Sequence, residues 1–428
     1  MVLLFSAGSL WGQSRSLTEE EMRAAIAADR TLATGFRHHY DIPTISDTPA
    51  PKGYKPFYIS HFSRHGERYY TRLSSYDSAI EPLERMDAAG LLTVKGEQLL
   101  SDLHFLRDET SGMEGMLTQR GAATHRGISA RMYGRYSGVF RQRGRDSVVC
   151  ISTPVPRCIL SMTNFTQTLK EKQPKLHLFY DTGVRYRDYL NSQESRNLPE
   201  EAVYRKRDSL YSNFFPVKEM LSPLLTDLDA AKALCGGNLE GLCRHIAGAL
   251  DITNCLDGPQ PEVFSYVPLE AAWYYWFDAN ARIIITCANS VEFGNPGPRV
   301  IGRPILRDFI EKADRAIGES ASSKGQRVCA DLRFGHDNGL MPLVSLLNLD
   351  GLGEPIEAYK EPWKYPAPKV IPMGSNVQMI FFRGRRGDVL VKILLDETEA
   401  TVPALADVAV NGVFYPWEQL RAYFVSKL

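Results

Sequence analysis

Apolar residues recur at helical spacing through LTEEEMRAAIAADR, residues 17–30, and the acidic start of that segment suits the positive end of a helix. A Pro-rich connector, DIPTISDTPAPKGYKP, interrupts the periodicity. In PFYISHFSRHGERYY the pattern changes, because Phe57, Ile59 and Phe62 suit a buried strand that runs into a turn at Gly66. Residues 117–136, LTQRGAATHRGISARMYGRY, read as a helix capped by Thr118. SVVCISTPVPRCILSMTNFTQTL reads as a strand over Val148 to Ser152, a Pro-marked turn and a helix from Arg157. Two strand-to-helix units predict an α/β sheet with ligand-binding groups at its strand ends.

From 185 to 320 helical patterns dominate, as in LPEEAVYRKRDSLYSNFF, LSPLLTDLDAAKALCGG and LEAAWYYWFDANARI. Only RIIITC looks strand-like there. QRVCADLRFGHDNGLMPLVSLLNL then reads as strand, polar turn and helix, and NVQMIFFRGRRGDVLVKILLDE as a hairpin turning at RGRRGD. The expected layout is an apolar leader over 1–14, an α/β core over 15–184 and 321–428, and a mainly helical inserted cap over 185–320. No internal repeat or low-complexity tract interrupts it.

The 428 residues are 44% hydrophobic and 23% charged, enough for a large core and a substantial second domain. Lys+Arg and Asp+Glu both count 50, so the overall charge favours neither nucleic acid nor an anionic membrane as a partner. Attraction to an anion must be local. MVLLFSAGSLWGQS resembles the apolar region and cleavage zone of a secretory signal without its basic start, so an exported protein is expected. No later stretch reaches the roughly 18 apolar residues a membrane span needs. The seven cysteines leave at least one unpaired within the chain. Cys235, Cys243 and Cys255 lie near His245, but their spacing is unlike paired CxxC zinc sites, and a local disulfide from Cys255 to Cys235 or Cys243 is expected instead.

Three strand ends carry unusual polar groups: Arg64, His65 and Arg68 at the first, Arg157 at the second, His336 and Asp337 at the third. A phosphate ester accounts for all of them. Guanidinium forks bind phosphate oxygens and stay charged at any working pH. An imidazole supplies a nucleophile, and a carboxyl group supplies the proton for the leaving alkoxide. With that much positive charge from side chains the chemistry calls for no metal or other cofactor, and the sequence has no obvious phosphate-binding glycine loop.

SRHGERYY carries the RHGxR signature, and GHD at 335–337 the distal HD pair, of the histidine phosphatase superfamily in its acid phosphatase and phytase branch. Leu117, Thr118, Gly121 and His125, then Arg157 and Ser161, fall between them in the order of that branch. PMGSNVQMIFF and VKILLDETEATVP are similar to segments of the multiple inositol polyphosphate phosphatases. The resemblance, which runs from residue 50 to the C-terminus, implies a histidine-phosphatase-like sheet flanked by helices. It implies His65 as nucleophile, Asp337 as proton donor, Arg64, Arg68, Arg157 and His336 as the phosphate pocket, and inositol polyphosphates such as phytate as substrates. The polyphosphate phosphatases have His-Ala-Glu where this chain has His336, Asp337 and Asn338, and many relatives have proline where Tyr70 stands.

The alternatives are a broad acid or sugar-phosphate phosphatase, a phosphotransfer mutase suggested by Glu67, and a non-catalytic phosphate-ester binder. His125 reads as a packed histidine outside the catalytic set. Asp337 also suits a cap for the following helix. Arg141, Arg143 and Arg145, then Arg205, Lys206 and Arg207, and the hairpin residues Arg383, Arg385 and Arg386 read as solvated faces. The aromatic run from Trp273 to Phe277 reads as core. The oligomeric state is left open.

Overall fold

A computed structural model describes residues 15–141, 146–191, 215–292, 297–321 and 327–428. The apolar leader, Arg143, Arg145, the run from Arg205 to Arg207 and nearly all of the helical pattern around it lie outside these residues.

Strands β1 (Lys55–Arg64), β2 (Asp146–Ser152), β3 (His177–Thr182), β4 (Arg327–Gly335), β5 (Asn376–Arg383), β6 (Val389–Leu395), β7 (Thr398–Ala400) and β8 (Phe414–Pro416) build one sheet. Its order is β3-β2-β4-β1-β5-β6-β7, with β8 on β6. The first four are parallel, and β5 to β8 join antiparallel. The last strand of the parallel set, β4, thus lies between β1 and β2.

The helices before β4 that bear on the site are α1 (Glu19–Ala28), α2 (Ser74–Ala88), α3 (Val94–Thr110), α4 (Gln119–Tyr136), α5 (Pro156–Lys172) and α6 (Arg187–Leu190). They continue with α7 (Val217–Leu221), α8 (Leu228–Leu234), α9 (Leu239–Leu250), α10 (Leu269–Cys287) and α11 (Gly297–Ala321), and α12 (Asp337–Leu346) follows β4. Alternate residues of β1 and β5 enter different cores. Ile59 and Ile380 pack with Met132 of α4 and Phe165 of α5, while Tyr58, Phe62 and Phe381 pack with Ile284 of α10, Phe309 of α11 and Leu340 of α12. The sheet is therefore apolar on both faces, as strands covered by helices require.

Local chemistry sets the element ends. The Thr18 side chain and Glu21 cap the start of α1 reciprocally. Thr118 Oγ1 accepts from Gly121 N at 3.1 Å to open α4. Two expectations fail. RIIITC is the last part of α10, where Ile284, Ile285 and Cys287 face the core, so burial on a helical stripe overrides the strand preference of β-branched residues. All seven cysteines are free. Cys243 faces the core from α9, Cys235 ends α8, and Cys255 lies with Sγ 3.1 Å from the Arg37 carbonyl oxygen, so the three sit on separate elements. Trp273, Trp276 and Phe277 are core residues. Among the described residues no helix is long and apolar enough to cross a membrane.

Candidate active site

Strand register assembles the site. Arg64 pairs with Gly335, and Ser152 with Phe334, so the carboxyl ends of β1, β4 and β2 lie side by side. Ligands of open α/β sheets bind at such an edge. His65 N donates to Gly335 O at 2.9 Å, and Gly374 N donates to His65 O at 2.9 Å. The backbone of His65 is thereby held from both sides.

Its ring is held too. Nδ1 lies 2.8 Å from Gly66 O, and a carbonyl only accepts, so Nδ1 carries the proton and Nε2 keeps its lone pair. The following loop is clamped by α4 and α5. Gly66 N donates to Ser161 Oγ at 3.1 Å, Thr118 N to Glu67 O at 3.0 Å and Tyr69 N to Met116 O at 3.0 Å. A Cβ on Gly66 would lie 2.6 Å from Gly121 O, and one on Gly121 would lie 2.3 Å from Glu67 O. Both glycines are required by this close approach.

A pocket of about 350 Å³ opens here, at the small end of the range for ligand sites. Arg64, His65, Arg68, Arg157, His336 and Asp337 all line it, so the structure brings together every residue expected at the site. Asn338, Val155, Arg187 and Asn191 line it as well. The sequence carries no signal for Arg187 and Asn191, because α6 follows β3, a further strand end inside a stretch whose pattern reads as the helical segment.

The guanidinium groups are oriented mostly by backbone carbonyls. Arg64 Nη1 donates to the carbonyls of Phe36 and Ile371, Arg68 Nη1 to Tyr69 O at 2.9 Å and Arg157 Nη1 to Gly115 O at 3.4 Å. The buried Nε of each of these three arginines finds no hydrogen-bond partner among the described residues. Among the described residues the one carboxylate paired with them is Asp337, whose Oδ2 lies 3.3 Å from Arg64 Nη2.

Burial, then Arg157 and Arg64, hold the His65 pKa well below the ordinary histidine value, so the ring is neutral. Burial followed by Arg157 lowers His336 as well. Burial and the neighbouring Arg157, Arg37 and Arg64 bring Arg68 down to about 10. Burial disfavours the Asp337 carboxylate, but Arg64 and His336 more than offset this and hold its pKa below the ordinary value. Such mutual repulsion among cations is relieved when an anion enters.

His336 Nε2 lies 3.1 Å from Thr153 Oγ1 and 3.5 Å from Cys158 Sγ, leaving Nδ1 for a ligand. Its ring stands edge-on to His65, with centroids 5.4 Å apart. His336 occupies the N-cap position of α12 and makes no side-chain cap bond. Asp337 is the first helical residue and its Oδ1 accepts from Asn338 N at 3.0 Å, so it does not take the N-cap position. The starts of α5 and α12 both border the pocket, where helix dipoles favour negative charge. His125 is fully buried against Phe334, and burial pushes its pKa down to about 3. It does not line the pocket. Tyr70 hydrogen-bonds Asp251 and Gly248 O, tying the loop after β1 to the end of α9.

No protein-family model matches the chain. It is 19% identical over 289 residues to human multiple inositol polyphosphate phosphatase 1, a match covering 63% of this chain and 57% of the human one. The aligned part thus spans less than two thirds of that relative. Among solved structures, the multiple inositol polyphosphate phosphatase of Bifidobacterium longum in complex with phosphate superimposes with a TM-score of 0.77 at 17% identity, covering 92% of this chain and 97% of that one. The same protein in complex with inositol hexasulfate gives 0.75 at 17% identity and the same coverage. The phytase from D. castellii gives 0.67 at 15% identity, covering 93% and 85%. In sequence and in fold the chain is similar to the multiple inositol polyphosphate phosphatases, and its fold is shared with a phytase.

Proposed function

We propose that the protein hydrolyses phosphomonoesters through a phosphohistidine on His65, and that inositol polyphosphates such as phytate are its substrates. The observation that carries this reading is a neutral histidine with its Nδ1 proton fixed on Gly66 O, inside a cage of arginines short of counter-charge. Arg64, Arg68, Arg157 and His336 hold the phosphoryl oxygens. His65 Nε2 attacks phosphorus in line as the bond to the ester oxygen breaks, and Asp337 gives its proton to the departing alkoxide. Water then attacks the phosphohistidine, returns a proton to Asp337 and releases inorganic phosphate.

Asp337 needs a proton for the first step, whereas its contact with Arg64 favours the carboxylate. A phosphate dianion docking on Arg64 draws that charge away from Asp337 and raises its proton affinity. The inositol phosphate preference is supported by the human relative and by the Bifidobacterium longum protein crystallised with inositol hexasulfate. A location outside the cytoplasm rests on the apolar start of the chain. Release of phosphate from phytate, glucose 1-phosphate and an aryl phosphate tests the activity, and acid-labile phosphate trapped on histidine tests the intermediate. No release from any of the three between acid and neutral pH overturns it.

A further inference from the structure

A second group of histidines lies in the segment that leads into β1. His38, His39 and Asp41 bring two ring nitrogens and a carboxylate within 4.8 Å of one another. His38 Nε2 is 3.0 Å from Asp41 Oδ2, and His39 Nε2 is 3.2 Å from Asp41 Oδ1. None of the three lines the pocket described above.

The other ring nitrogens determine what this arrangement needs. His38 Nδ1 lies 3.2 Å from Thr31 O and 3.3 Å from Thr31 Oγ1, whose own proton goes to Asp29 Oδ1 at 2.6 Å. Both groups can only accept from the ring, so Nδ1 of His38 carries the proton. His39 Nδ1 lies 3.3 Å from Asn254 Oδ1. That amide is fixed in orientation, because its Oδ1 accepts from His39 N at 2.8 Å while its Nδ2 donates to Asp251 O at 3.1 Å. Nδ1 of His39 therefore carries its proton too.

Two rings so held turn their Nε2 atoms toward one carboxylate. A proton on each Nε2 would satisfy that contact, and so would one metal ion shared by the three donors, which lie close enough together to hold it. The geometry points to a divalent transition-metal site formed by His38 Nε2, His39 Nε2 and Asp41. Imidazole nitrogens with a carboxylate suit Zn²⁺ and its neighbours rather than Mg²⁺ or Ca²⁺. Hydrogen bonds from the remote nitrogens to oxygen acceptors are the usual outer support of such ligands. Donors of a tetrahedral zinc lie about 3.3 Å apart, close to the two nitrogen-to-carboxylate spacings here. Asp41 is 67% exposed, which gives an ion access from solvent and leaves a position for water. The site would fasten a segment whose Phe36 O orients Arg64 and whose His38 O accepts from Met373 N at 2.9 Å.

The test uses the full chain after chelator treatment, in phosphate-free buffer near neutral pH. Calorimetric titration with Zn²⁺ is expected to show one equivalent bound at micromolar strength or tighter, and Co²⁺ to give the visible band of a low-symmetry site. His39→Ala and Asp41→Asn, both at solvent-accessible positions, should each weaken Zn²⁺ by at least about tenfold. His65→Ala should leave it unchanged, which separates this site from the candidate catalytic histidines. Absence of binding, binding that survives both substitutions, or binding lost in His65→Ala overturns the proposal.

Discussion

Buried cations in two neighbouring regions are treated in opposite ways. On the helix-covered face of β4, Arg333 donates to Asp308 Oδ2 at 2.6 Å and to Ser60 Oγ at 3.0 Å. Burial opposes its charge, but Asp308 and Asp331 more than compensate and raise its pKa. Arg131 and Glu397, and Lys392 and Glu399, are paired in the same manner. Two residues beyond Arg333 the strand ends, and the pocket begins. There Arg68 and Arg157 rest on carbonyl oxygens and Arg64 shares the single carboxylate of Asp337. The fold supplies counterions for its structural cations, whereas the pocket cations depend on a ligand for theirs. A concentration of buried cations short of carboxylate partners marks the site.

Substitutions break this contrast in a graded order. His65→Ala removes the nucleophile and should lower turnover at least about a thousandfold, measured as phosphate release under saturating substrate. Asp337→Asn should slow alkyl phosphates by about 10²–10⁴-fold and aryl phosphates much less, because only the poorer leaving group needs the acid. Equal losses for the two ester classes would assign Asp337 to positioning.

Arg157→Ala should reduce kcat/KM by about a hundredfold and also move its acid limb. Burial and Arg157 depress the His65 pKa, and the neutral ring is the reactive form. Activity is lost as pH falls through that pKa, so removing the cation raises it and shifts the limb toward neutral pH. Arg157→Lys should restore the limb but not the full rate, since the charge returns without the fork. Arg333→Met is the smallest change in catalysis and the sharpest control. It leaves the Asp308 carboxylate without its partner, so urea unfolding should show a loss of about 3 kcal/mol while kcat/KM of the folded protein stays within about twofold.

Much of this was legible in the chain. The strand at Phe57 to Phe62, the Thr118 cap, the start of α5 beside Arg157 and the β5-β6 hairpin follow from local pattern, and the structure shows each. Local signals are strong where one residue satisfies one backbone group. They failed where packing decides. RIIITC is helical because α10 buries that stripe, and the three clustered cysteines stay apart because closeness in sequence does not bring sulfurs together. Arg187 and Asn191 escaped notice for the same reason, being placed in the pocket by the fold around α6.

The sequence by itself determined the chemistry of the candidate site, because RHGER, Arg157 and the HD pair are residue types whose charge and proton affinity suit few ligands other than phosphate. Only tertiary structure decided that they meet. The crossing of β4 between β1 and β2 sets three strand ends in one row, and the carbonyls of Gly66, Tyr69 and Gly115 orient the groups. The strand pairing and the Arg157–Gly115 contact join residues far apart in the chain, and no local propensity encodes them. The HHYD segment carries no such signal in the sequence, since Asn254, which fixes the His39 ring, comes from an element that only the folded chain brings beside it.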